Sequence, residues 1–155
     1  MRHFKFTLLV VFSGVLFHSC DRCDNLDCPS NYHGQFRVVS AIDGKDLLFG
    51  PNKVYDLDQI KFYSTNGADT TYFGYLPIKF PNANDSILFV RFFPKNEIAY
   101  MRLSNVDVDT LNISYNTFES KCCGMIVNIS NFRLNNLIDL PADQGTQVIK
   151  KQVNF

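Results

Sequence analysis

Tryptophan is absent from this 155-residue chain, and histidine is scarce, with three residues. His3 and His18 lie in the first twenty positions, which leaves His33 as the single imidazole of the remainder. A Ser-His-Asp site would have to use it, and no Gly-x-Ser-x-Gly turn accompanies it. No pair of carboxylates is spaced for glycoside hydrolysis. The cysteines follow no common zinc spacing. Charge of either sign is not in excess, with 15 basic and 15 acidic residues. The missing basic patch argues against nucleic acid and against electrostatic attraction to a membrane surface. Helical periodicity is not sustained anywhere, and no internal repeat or low-complexity tract interrupts the chain. These absences lead to the expectation of a non-catalytic protein without cofactor or metal.

What is present begins at the N-terminus. Arg2 and Lys5 precede an almost wholly apolar run, residues 6–17 (FTLLVVFSGVLF). A bilayer-spanning helix needs about 20 apolar residues, so this run is too short to cross. Its length and charged flank are those of a secretory signal. Asp21, Arg22 and Asp24 close it off. Leu16-Phe17-His18-Ser19-Cys20 lacks the small-residue pair of ordinary signal cleavage.

Leu-Phe-His-Ser-Cys resembles the lipobox of bacterial lipoproteins, with Leu first, Ser before Cys and a degenerate middle. The whole chain is similar to small cell-envelope lipoproteins of Bacteroidota. The resemblance implies cleavage before Cys20, diacylation of its thiol and acylation of its new amino group. Stable anchoring needs more than one acyl chain, and a multiply acylated Cys20 meets that condition. The expected address is the cell envelope, anchored in the outer membrane on its periplasmic or surface face. Loss of residues 1–19 removes two cations and leaves 13 basic against 15 acidic residues, a net charge of −2. The expected organisation is a signal peptide over 1–19, a lipidated, Cys-bearing tether over 20–33 and one domain over 34–155.

Five cysteines are an odd number, which in an exported protein needs an explanation. Lipidation of Cys20 leaves Cys23, Cys28, Cys122 and Cys123. A bridge between the neighbours Cys122 and Cys123 would close a strained ring. The favoured scheme joins Cys23 and Cys28 each to one of Cys122 and Cys123. Free thiols and a metal site are the lesser readings.

Beyond the tether, short runs of β-formers alternate with turn signals. Gly34 to Ser40 reads as the first strand, Asp43-Gly44 as a turn and Asp46 to Phe49 as its return. In Gln59 to Ser64, Ile60 and Phe62 share one face while Lys61 and Tyr63 share the other. Asn66-Gly67 turns. Gly74 and Pro77 suggest a bulge or an edge strand within Thr70 to Phe80. Ser86 to Phe93 reads as a central strand buried on both faces. In Glu97 to Leu103, Ala99, Met101 and Leu103 oppose Ile98, Tyr100 and Arg102. A bulge or tight turn is expected near Asp109-Thr110, a short helical turn or loop over Phe132 to Leu140, and a last strand from Thr146. The expected class is all-β: a two-sheet antiparallel sandwich of about eight strands, immunoglobulin-like or transthyretin-like. The hairpin over residues 36–49 resembles the first hairpin of transthyretin-like modules of outer-membrane proteins.

Three constellations carry a chemical reading. Tyr72, Phe73 and Tyr75 sit beside Gly74 and Pro77, and exposed there they would stack on a sugar ring. Core packing is the commoner fate of such aromatics. Asn105, Asp107 and Asp109 alternate, so on a strand they share a face that suits calcium. A solvated outer face is the heavier expectation. Asp69-Thr70-Thr71, Asp85-Ser86-Ile87 and Asp109-Thr110-Leu111 resemble the three-residue O-glycosylation motif of Bacteroidota, which implies Thr70, Ser86 and Thr110 as glycan carriers. The expected function is a lipid-anchored interaction or structural module with an envelope protein or glycan as partner. A carbohydrate-binding accessory protein is the alternative.

Overall fold

The computed structural model describes residues 28, 30–80, 86–94 and 96–153. The signal run, Cys20 and Cys23 lie outside the described residues. The chain divides into two compact units. The larger comprises residues 30–118 and 127–155, the smaller residues 1–29 and 119–126.

The larger unit is the all-β sandwich that the turn spacing predicts. The described strands are β1 (His33–Ser40), β2 (Lys61–Asn66), β3 (Asp69–Phe73), β4 (Tyr75–Lys79), β5 (Ser86–Arg91), β6 (Ile98–Arg102), β7 (Val108–Ser120), β8 (Gly124–Leu134), β9 (Ile138–Pro141) and β10 (Gln147–Lys151), and only the end of β7 and the start of β8 belong to the smaller unit. A four-stranded sheet runs β10-β1-β5-β4, and a six-stranded sheet runs β3-β2-β6-β7-β8-β9. Alternation along each strand sends apolar side chains to the inner face. Phe36 of β1 lies at the centre. Its ring sits 6.0 Å from Phe62, 5.1 Å from Phe132 and 6.3 Å from Phe92. Gly34 is required by this packing, because a Cβ there would lie 2.7 Å from the Phe36 ring and 2.9 Å from Phe132.

Several local expectations are corrected. The strands number ten among the described residues, because Gly74 splits the Thr70–Phe80 run into β3 and β4 and because residues 138–141 form β9. The expected short helical turn or loop over Phe132 to Leu140 is instead a β8–β9 hairpin. Asn135 (φ 50°) and Asn136 (φ 61°) turn it in the left-handed region, which asparagine tolerates better than most residues. Asp46 to Phe49 is no strand. One bridge joins Val39 to Asp46, after which Leu47 and Leu48 dive into the core. β5 is interior to its sheet but fully buried on one face only: Leu88 and Val90 are buried, Ile87 and Phe89 half-buried. Not every pair is antiparallel, since β10 lies parallel to β1, with Phe36 opposite Gln147 and Ser40 opposite Lys151.

The expected bulge or tight turn near Asp109-Thr110 is also absent, since both residues pair in continuous register with β6. β7 starts at Val108, and Asp109 takes the inner position in step with Leu111 and Ile113. Val106 and Val108 are left exposed. A carboxylate can hold an inward position only with compensating partners; here Lys151 and Asn135 supply them. Pro77 sits on β4, at the edge of its sheet, where its missing N–H costs no ladder bond.

In the smaller unit, residues 121–123 turn between the ends of β7 and β8, with Gly124 at φ 64°. Cys123 N–H donates to Ser120 Oγ at 3.4 Å. Cys28 and Cys123 form a disulfide with a Cα–Cα distance of 5.4 Å. Cys122 is disulfide-bonded as well.

Candidate functional site

The pairing of β3, β2 and β6 builds a tyrosine row on the outer face of the six-stranded sheet. Tyr63 lies directly opposite Tyr72 on one side and Tyr100 on the other. Directly opposed side chains in adjacent strands stand close enough to touch. The Tyr63 ring is 6.0 Å from Tyr72 and stacks at 5.2 Å on Tyr100. Tyr72 is 60% exposed at the sheet edge. Two residues along β2 and β6, hence on the same face, Lys61 lies opposite Arg102. Lys61 Nζ sits 5.8 Å from the centre of the Tyr72 ring, a cation–π distance. Arg102 donates to Asn105 Oδ1.

The aromatic trio read from the sequence is therefore divided. Tyr72 faces solvent, and Phe73 is buried against Phe92 at 5.2 Å. Tyr75 is half-buried, packs on Phe62 at 5.7 Å and donates its hydroxyl to the Leu57 carbonyl. Burial, and then the negative charge of Asp58, push its phenol pKa up. An open pocket of about 300 Å³ lies at this edge, lined by Ile60, Lys61, Phe62, Tyr72, Phe73 and Tyr75. Tyr63 and Tyr100 are the members that sequence reading missed. Both stand on correctly identified strands, but strand order alone tells which aromatics become neighbours.

Asp107 and Asp109 neither share a solvated face nor form a cation site. Lys151 Nζ lies 2.6 Å from Asp107 Oδ1 and 2.6 Å from Asp109 Oδ2. Tyr55 donates to Asp107 Oδ2 at 2.5 Å, and Asn135 Nδ2 donates to Asp109 Oδ1 at 2.7 Å. One ammonium and two neutral donors thus occupy the carboxylates. The Tyr55 phenol is pushed far up, first by burial and then by the bond to Asp107. Asn105 stands apart on Arg102. Among the described residues no group of three or more His, Cys, Asp or Glu is placed to hold a metal ion.

The three motif hydroxyls occupy different environments. Thr70 is exposed on β3, and Thr110 is half-buried within β7. Ser86 is wholly buried and donates its hydroxyl to Asp46 Oδ2. Asp46 is itself buried. Its Oδ1 accepts from Leu48 N at 2.7 Å and Phe49 N at 2.9 Å, and its Oδ2 accepts from Ser86 N at 2.9 Å. His33 stacks on Phe89 at 4.7 Å. Comparison with known proteins returned no matching family model, no matching curated sequence and no matching solved structure.

Proposed function

We propose that this chain is a lipid-anchored module of the cell envelope that works by binding or by structural support and not by turnover. The observation that carries the reading is the Cys28–Cys123 cross-link, since disulfides persist in oxidising compartments. Cys122 is bonded as well. Pairing it with Cys23 uses four of the five cysteines and leaves Cys20 to carry lipid. The outer membrane, on its periplasmic or surface face, is the membrane proposed. Glycosylation at Thr70 is compatible with its exposure. Intact-mass analysis of the native protein from membranes tests the anchor. Acyl mass on an N-terminal Cys20, with release into the soluble fraction in Cys20→Ser, is the expected result. A water-soluble protein with Cys20 unmodified or bridged would overturn it.

A second reading, a carbohydrate-binding accessory lipoprotein, is favoured by one observation: the exposed Tyr72 ring borders the pocket shared with Lys61 and Tyr75. Glycan-array binding that falls in Tyr72→Ala supports it, and an array without saturable binding removes it.

A further inference from the structure

We infer that the outer face of β3, β2 and β6 binds a glycan bearing acidic groups, with Tyr72 as the stacking ring, Tyr63 and Tyr100 flanking it, and Lys61 and Arg102 as the anion contacts. The inference rests on the carbohydrate-binding reading and adds to it the ligand's charge and the identity of the face. Three strands spaced by about 4.8 Å set the outer rings of the row about 10 Å apart, the reach of two linked sugars. Tyr63 and Tyr100 stack on each other and so cover one face of each ring, which leaves the exposed Tyr72 as the ring that offers a face to the apolar side of a pyranose, with the other two flanking it.

The charge argument comes from register. Lys61 and Arg102 are directly cross-strand, and like charges so placed destabilise a sheet. Neither is ion-paired among the described residues, which is equally true of Lys79, Arg91, Lys121 and Lys150; what sets these two apart is their direct opposition across β2 and β6. Asp139, the carboxylate of β9, is held by Arg133 at 2.8 Å and does not serve them. Lys61 also leans toward Tyr72, so charge and ring present themselves together. An anion laid across both cations would relieve their repulsion while its ring rests on Tyr72. Carboxylate and sulfate groups share this chemistry.

Isothermal titration of the full chain with polygalacturonate, its carboxyl-reduced counterpart, dextran sulfate and dextran tests the inference. Saturable binding of polygalacturonate or dextran sulfate, weakened by salt and absent with both neutral polymers, is expected; which of the two binds separates carboxylate from sulfate. Lys61→Glu should lower affinity by about tenfold or more. It should leave the unfolding midpoint unchanged or raised, because it replaces a like-charge pair with an opposite one. Tyr72→Ala should weaken binding without altering its salt dependence. Equal binding of neutral and acidic polymers would overturn the acidic assignment while leaving the carbohydrate reading in place. No binding of any polymer would remove both. Equal or tighter binding of an oligo(dT) strand would overturn the glycan assignment, since bases also stack on aromatic rings.

Discussion

Lys151, on the last described strand, places its ammonium 2.6 Å from a carboxylate oxygen of Asp109, a residue only 4% exposed. Asp107 shares the same ammonium. Removing one partner of a buried ion pair leaves an uncompensated charge, at a cost of about 3–5 kcal/mol. Lys151→Met is therefore expected to lower stability by about that amount in urea unfolding, and Lys151→Met combined with Asp109→Asn to recover part of it. An unchanged midpoint in the single variant would show that the carboxylates do not depend on Lys151.

Alkaline conditions should destabilise the fold through its buried phenols. Burial is the main cause that raises Tyr55, Tyr75 and Tyr115, the last to about 12. A free phenol in the unfolded chain ionises near pH 10. The folded state thus keeps protons that the unfolded state loses. The contribution is complete below about pH 10 and declines as pH rises toward the folded values. Absorbance titration should resolve a late-ionising class among the seven tyrosines. Tyr115→Phe should flatten the alkaline loss of stability. A single transition near pH 10 for every phenol would contradict this.

Asp46 ties the loop after β1 to the start of β5 through four accepted hydrogen bonds. Bonds to a charged acceptor contribute about 1.5–3 kcal/mol, and stranded buried donors add a penalty. Asp46→Ala should cost about 2–3 kcal/mol in thermal or urea unfolding, and Ser86→Ala about 1 kcal/mol because the Ser86 amide still donates. Equal small effects would mean that the loop relaxes to let water in. Intact folded protein should also carry no glycan at Ser86, which peptide mass mapping reads directly.

The Cys28–Cys123 bridge spans a separation of 95 residues. In the chain-entropy model a loop of this size contributes up to about 4–5 kcal/mol. Cys28→Ser should lower the unfolding midpoint, and Cys123→Ser should do so by a similar amount. Non-reducing peptide mapping should recover the cross-linked pair. Alkylation of both as free thiols in native protein would refute it.

The strands were legible where alternation is strong. Ile60 and Phe62 against Lys61 and Tyr63, and Ala99 and Met101 against Tyr100 and Arg102, fall on the faces that period two assigns. The irregular places had distant causes. Asp109 reads as a surface carboxylate until Lys151, far along the chain, is brought beside it. Residues 132–140 hide a hairpin because Asn135-Asn136 is a less familiar turn than Asn-Gly, although asparagine's tolerance of positive φ was a usable signal. The candidate site was half legible. Tyr72 and Phe73 are neighbours in sequence, yet alternation sends them to opposite faces, and Gly74 breaks the strand before Tyr75. Tyr63 and Tyr100 join Tyr72 only through the order β3-β2-β6, which local sequence does not encode.

The parallel pairing of β10 with β1 has a consequence for timing. During synthesis, the first strand must wait for residues 147–151 before its outer edge is covered. The same late segment delivers Lys151, so two carboxylates also stay unneutralised until it arrives. A nascent chain stalled before Gln147 would expose an open edge prone to mispairing with other chains.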